Sequence, residues 1–385
     1  MTATATTAAD LRAALVRQLT ADPDGGLTDP LWRAAAAAVP REAFVGDYFR
    51  EIPGSVPTSY EPVLADDEGG LETVYSNRTL ITQLDGRIRP ADAHGPTAGA
   101  PSSSSTLPSL VLGMWQRLDV RSGHRVLEIG TGTGYSTALG AHRLGEENIV
   151  SVEVDPGVAE RAATALKTAG YTPHLVVGDG LAGHGARAPY DRLIATCAVR
   201  TLPYPWLHQV RPGGKILVTF SGWQFGYGLA LLTVTGPGEA FGRFLPGHIS
   251  FMIARPHDRP PRQSPTLLPG DERATRIDPA TITDWTGAWV AQLAAPSAER
   301  IGTGDQQILI DHATGSQART RPDGHGGWTV VQRGPLRLWD RVEDAITAWQ
   351  TAGSPHQERF GITITSEGQR VWLGNEHGPS WLLPL

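Results

Sequence analysis

A chain of 385 residues is long enough for two or three domains and a well-buried core. An apolar share of 40%, a charged share of 19% and a formal charge of −6 fit a globular protein, without the basic face that nucleic acid or an anionic membrane would require. Cys197 is the one cysteine, so no intrachain disulfide can form, which suits a reducing interior.

The N-terminus, MTATATTAADLRAALVRQLT, lacks a basic region followed by an apolar one, so no signal peptide is expected. No run of about 18 apolar residues occurs, so no membrane span is expected and the cytoplasm is the default compartment. Residues 8 to 50 read as helices: Leu11, Leu15 and Leu19 recur at helical spacing, and LWRAAAAAVP stops at Pro40. VPREAFV (39–45) follows, then a strand candidate, TVYSNRTLITQL (73–84). The stretch 91–109 is rich in Gly, Pro and Ser; its composition suits a flexible linker, and its place before a glycine loop suits an active-site lid.

From 110 helix and strand alternate. LVLGMWQRL, YSTALGAHRL, GVAERAATALKTAG and LPYPWLHQV read as helices; RVLEIG, NIVSVEVD, HLVVGDG, YDRLIATCAV and GKILVTF read as strands. This predicts an α/β fold with a Rossmann-like parallel sheet covered by helices on both faces. ALLTVT and HISFMIAR are expected as later strands closing the sheet edge. A Pro-rich linker is expected at 255–270. It separates a helical and lid region (1–109) and a sheet core (110–254) from a small α+β domain (271–385). That last part holds seven of the eleven tryptophans, a helix LWDRVEDAITAWQTAG and a hairpin around Glu367 and Gly368. Tryptophan-rich structure of this kind serves as core or as binding surface.

VLEIGTGTGY (126–135) places Gly130, Gly132 and Gly134, with Thr131 between the first two, between a buried strand and a helix. Glycine lets backbone turn sharply and approach a ligand. Tyr135 stands where a dinucleotide fingerprint carries its last glycine, so the loop lacks the arrangement that closes on a pyrophosphate. A nucleoside cofactor without a pyrophosphate, S-adenosylmethionine, fits this pattern. Glu153, followed by Val154, falls at the tip of the next strand, where its carboxylate can accept from both ribose hydroxyls. Asp179 and Gly180 end the following strand, near the adenine amine, and Glu128 faces the methionine end. His142, His174 and His184 have no metal-ligand spacing, so no metal is expected. Cys197 reads as a small packing residue rather than a nucleophile.

VPREAFV, the Ser104-Ser105-Thr106-Leu107-Pro108 step, VLEIGTGTGY, GYTPHLVVGDG, PYDRLIATCAV and LHQVRPGGKILV resemble the protein-L-isoaspartate O-methyltransferase family in content and order. The resemblance covers roughly residues 10 to 220. It implies a class I methyltransferase fold, S-adenosylmethionine as donor, S-adenosylhomocysteine as product, and a peptide carboxylate as acceptor. It also implies that Ser104 to Leu107 and Thr196 line the donor. The family's serine, near both donor and bound carboxylate, corresponds to Thr106, with Ser105 reached by a one-residue shift or both serving only a structural turn.

The longer segment between Val45 and Thr106 and the extra C-terminal part resemble extended family members that modify ribosomally made peptides, such as lanthipeptide, lasso-peptide or ATP-grasp-crosslinked precursors. That implies methylation of an aspartate in a macrocyclic peptide, with the ester closing to an aspartimide that can hydrolyse to isoaspartate. General repair of isoaspartyl proteins is the second enzymatic expectation. A non-catalytic cofactor- or peptide-binding module is the third.

Overall fold

The computed structural model describes residues 7–22, 26–65, 67, 69–260, 266–304 and 306–384. The chain forms two compact units: Met1–Thr196 with Gln209–Gly214, and Cys197–His208 with Lys215–Leu385. The division falls within strands rather than at the Pro-rich stretch, whose residues 261–265 lie outside the described residues.

The first unit opens with helices α1 (Ala8–Thr20) and α2 (Pro30–Ala38). Thr7 and Asp10 cap α1 reciprocally, and Asp29 with Pro30 starts α2, so short polar side chains satisfy the free N–H groups of each first turn. Strands β1 (Tyr48–Ile52) and β2 (Ser59–Val63) follow, then helix α3 (Gly70–Val74) and strands β3 (Leu80–Leu84), β4 (Thr97–Ala98) and β5 (Pro101–Ser105). They form an antiparallel sheet in the order β4-β2-β1-β3-β5 around a small core of Phe49, Tyr60 and Leu84.

Two expectations are corrected here. The strand expected at 73–84 is only β3, because its first residues finish α3 and the Ser76–Thr79 turn. The Ser-rich stretch is a paired edge strand rather than a flexible linker: Ser103 and Ser105 are buried, and Ser102 Oγ donates to Gln83 Oε1 while accepting from Gly86 N. Side-chain hydroxyl bonds thus do what apolar alternation does elsewhere, and proline is tolerated at an edge.

Helix α4 (Pro108–Arg117) leads into β6 (Val126–Ile129), α5 (Tyr135–Leu144), β7 (Ile149–Glu153), α6 (Pro156–Thr168), β8 (His174–Val177) and β9 (Tyr190–Val199). These strands run in the order β9-β6-β7-β8, all parallel. β6 and β7 are buried throughout, as expected for parallel strands with both faces covered.

Helix α7 (Tyr204–Gln209) and β10 (Val210–Ser221) are divided between the units, and β11 (Tyr227–Gly236) and β12 (Glu239–Phe244) follow in the second. HISFMIAR, expected as a strand, is irregular. Ile249 and Phe251 are buried, but the segment makes only an isolated bridge from Ile253 to Ala198, and the hairpin partner of β11 is β12. An apolar run without alternation fixes burial, not pairing. Beyond it lie β13 (Asp271–Ala274), α8 (Trp285–Ala294), β14 (Glu299–Thr303), β15 (Gln306–Asp311), β16 (Ser316–Pro322) and β17 (Trp328–Arg333). Helix α9 (Leu338–Thr351), β18 (Phe360–Thr365), β19 (Gly368–Leu373) and β20 (Ser380–Leu382) complete the chain.

β13 to β17 make their own antiparallel sheet, whereas β18 pairs with β12, so the last three strands join the β10–β12 meander. Trp289, Trp339 and Trp372 are at most 1% exposed, which makes much of the tryptophan-rich texture core. Among the described residues, no helix is long and apolar enough to cross a membrane.

Candidate active site

The loop leaving β6 is shaped by its glycines. Gly130, Gly132 and Gly134 have φ of 93°, 55° and 91°, a left-handed backbone that side chains disfavour. A Cβ on Gly130 would lie 2.7 Å from Thr196 Oγ1, which donates to the carbonyls of Gly130 (2.6 Å) and Ile129 (3.2 Å). A Cβ on Gly132 would lie 3.4 Å from the Ser104 carbonyl, close to ordinary contact, so here the positive φ rather than crowding by β5 calls for glycine. Thr131 turns inward, its hydroxyl 2.7 Å from that of Ser151, and therefore offers the loop's outer face only backbone.

The carboxylates divide into one core group and two at strand ends. Glu128 has no exposed surface; its Oε2 accepts from Thr137 (2.5 Å) and Ser151 (2.8 Å), while Oε1 has no hydrogen-bond partner among the described residues. Burial pushes its carboxyl above the usual range, against the opposing pull of the Ser136, Thr137 and Ser151 hydroxyls. At the tip of β7, Glu153 Oε2 accepts from Gly132 N (2.9 Å) and Oε1 from Asp155 N (3.0 Å), tying the loop to the strand end. Val154 beside it is 39% exposed, an apolar surface at the carboxyl edge of the sheet. Asp179 is exposed and caps the turn Gly180–Ala182 through Leu181 N. Gly180 lies against Ile129, whose Cγ2 would be 2.5 Å from a Cβ.

Strand alternation sorts the serines preceding α4. Ser105 is 2% exposed and faces Arg41, whereas Ser104, Thr106 and Leu107 are half-buried. Thr79 Oγ1 and Asn77 Oδ1 accept from Leu107 N and Ser109 N and hold the strand-to-helix step.

Arg41, in VPREAFV, is fully buried and had no role assigned from sequence. Its guanidinium donates to the carbonyls of Val74 (2.6 Å), Ser76 (2.9 Å), Arg78 (2.9 Å), Ser105 (3.3 Å) and Thr106 (3.3 Å), and lies 5.8 Å from the Tyr135 ring. Burial lowers its pKa to about 10, so it stays charged at neutral pH. An arginine among the apolar residues of VPREAFV is the signal that could have marked it. Ser151, polar in the centre of a buried strand, is a second such signal.

Residues 96–224 match the family model described as protein-L-isoaspartate(D-aspartate) O-methyltransferase. The matched stretch is about a third of the chain. It contains every candidate site residue named from sequence, while Arg41 lies outside it. A protein-L-isoaspartate O-methyltransferase of Archaeoglobus fulgidus is 40% identical over 113 residues, 29% of this chain and 52% of the relative. One from Methanoculleus marisnigri is 43% identical over 111 residues, 29% of this chain and 50% of that protein. The chain thus spans about half the length of these curated relatives. A solved structure titled protein-L-isoaspartate O-methyltransferase aligns with 96% of this chain and all of its own, with a TM-score of 0.55 at 18% identity. That likeness establishes the class I methyltransferase fold.

Proposed function

We propose that the protein is an S-adenosylmethionine-dependent O-methyltransferase acting on the isoaspartyl carboxylate of a protein or peptide. The observation that carries this reading is the set of three positive-φ glycines flanked by Glu128 and Glu153, on adjacent parallel strands of the family-matched stretch. The residues fit the donor. The loop backbone at Gly130, Thr131, Gly132 and Gly134 would lie along it, and Glu153 would accept from the ribose hydroxyls. Asp179 and Gly180 would meet the adenine amine, with Val154 under the ring. Glu128 Oε1, an acceptor without a hydrogen-bond partner among the described residues, would meet the methionine end, and Thr196 fixes the loop beside it. Bound S-adenosylmethionine would supply an electrophilic methyl group and leave as S-adenosylhomocysteine.

The chain's own task is orientation. A carboxylate is nucleophilic at neutral pH, so no general base has to take a proton. The Thr106 hydroxyl can donate to one carboxylate oxygen while the other forms the bond to carbon, as the carbon–sulfur bond breaks. Arg41 contributes by fixing the Ser105 and Thr106 carbonyls, and holding reactants in line can supply about 7–11 kcal/mol. Ser104 and Leu107 complete the wall on that side, and Ser105 is committed to Arg41. This reading requires no metal.

A second reading keeps the chemistry and changes the acceptor to an aspartate in a constrained ribosomal peptide, with the ester closing to an aspartimide. Thr106 supports it, since the threonine adds a methyl where the family has serine. The two-unit architecture lends it nothing, because the structure aligned over 96% of the chain carries the isoaspartate title.

Incubation with methyl-labelled donor and matched linear isoaspartyl, linear aspartyl and cyclised aspartyl peptides separates the readings. Base-labile label on the linear isoaspartyl peptide is expected. Label only on the cyclised peptide, followed by methanol release, transfers the assignment to tailoring. No label on any peptide leaves a binding module.

A further inference from the structure

Next to the glycine loop, the first unit holds a cavity that shares only Gly132 with the proposed donor site. Its volume is 260 Å³, and it lies between the Ala43–Asp47 segment, β3, the Arg89–Ala91 turn, β5 and α6. One wall is apolar, with Phe44, Pro90 and Ala162. The Thr82 and Ser103 hydroxyls, 3.1 Å apart, face it from the sheet, and Gly132 with Thr133 closes one end. Sites for whole small ligands occupy about 300–1,000 Å³. A space just below that range suits one or two amino-acid residues. Because β5 and the glycine loop form its wall, a chain lying in it would run beside the proposed donor site.

Charge gives this cavity a preference. Arg89, Arg161 and Asp47 line it, and with Asp92 paired to Arg89 the cation left facing the space is Arg161. The Arg89 guanidinium is taken by Asp92, at 2.6 and 2.8 Å, and Asp47 accepts from Ala65 N. Arg161, exposed on α6, forms no ion pair among the described residues, although it lies near enough to Asp92 to help lower that carboxyl's pKa. It is the lining cation with its fork available for a carboxylate.

We propose that this cavity is a substrate subsite for an acidic residue, Asp or Glu, flanking the methylated one, with Arg161 pairing its carboxylate. The proposal rests on the peptide-carboxyl reading above and is tested separately from it. Fluorescent peptides sharing one acceptor residue would carry Glu or Gln at each of the three positions on either side. Binding to the full chain in the presence of S-adenosylhomocysteine is followed by anisotropy, and methyl transfer is measured in parallel.

For at least one position, Glu should bind five- to tenfold more tightly than Gln, with the gap closing as salt rises. Arg161→Glu should reverse that preference, and Arg161→Lys should keep part of it. Arg161 is a surface helix residue, so an unchanged melting temperature will verify that both variants fold. Equal binding of Glu and Gln peptides at every position overturns the subsite, as does a preference that survives Arg161→Glu. A charge preference without methyl transfer would sink the reaction but keep the subsite; transfer without preference would do the reverse.

Discussion

At Glu128 the proposed site and the fold make opposed demands. Its folded carboxyl titrates above the usual range because burial outweighs three nearby hydroxyls. For an acid raised in this way, the stabilising contribution is complete below the unfolded pKa and is lost as pH rises through the folded pKa. Glu128→Gln keeps an oxygen to accept from Thr137 and Ser151 and removes the ionisation. The variant should therefore melt no lower than the parent at pH 8, with any advantage shrinking as pH falls, while its cofactor affinity drops about tenfold through the lost charge. Melting curves from pH 5 to 8 with calorimetry check both halves; a variant less stable at pH 8 contradicts the burial argument. Glu153 carries a plainer expectation. Removing it strips acceptors from Gly132 N and Asp155 N as well as from the proposed ribose. Glu153→Ala should weaken cofactor binding ten- to a hundredfold, roughly 1.5–3 kcal/mol for charge-assisted bonds. Unaltered affinity by calorimetry would remove Glu153 from the site.

At the level of elements, the strand–loop–helix from Val126 to Leu144 could be read directly, since apolar strand, glycines and amphipathic helix report on their own neighbours in sequence. β5 could not be read in this way. Its order comes from pairing with β3 and from Arg41, 64 residues upstream of Ser105, and local composition carries no trace of either. HISFMIAR failed for the related reason that an apolar run specifies burial without a partner. Arg41 thus governs an element rather than a point. Lysine there has three donors where five carbonyls are bound, and leaves a buried charge less well satisfied. Arg41→Lys should cost about 2–4 kcal/mol of stability and lower kcat more than it raises the donor's KM, because β5 would no longer be held against Gly132. Denaturant melts with steady-state kinetics measure this, and a variant with intact stability and kcat would refute the clasp. Packing between the loop and the next turn is equally specific. A methyl on Gly180 would meet Ile129 Cγ2 at 2.5 Å, so Gly180→Ala should destabilise by about 1–3 kcal/mol. Chemical denaturation tests it, and a neutral substitution would mean that Ile129 can move aside.

For the whole molecule, the order in which the chain visits its units decides what can be cut away. A small α+β domain at 271–385 behind a Pro-rich linker would make deletion of those residues a probe of substrate recognition. In the folded second unit, however, β12 pairs with β18 across Ala240↔Ile364, Phe241↔Thr363, Gly242↔Ile362 and Arg243↔Gly361. The buried Phe244 also packs on Trp289 of α8, with ring centroids 4.9 Å apart. Truncation after Gly270 would leave β12 as an open edge beside uncovered Phe220 and Phe244, the kind of surface that recruits other chains. The truncated chain should therefore be aggregated on expression, by light scattering and size exclusion, even in the presence of S-adenosylhomocysteine. Adding Lys at Phe241, a β12 residue 40% exposed, should make the truncated product more soluble by charging the edge strand without restoring its pairing. A monomeric, cooperatively melting truncation that binds cofactor would show instead that the β12–β18 ladder contributes little, and that the C-terminal strands can be tested for peptide recognition on their own.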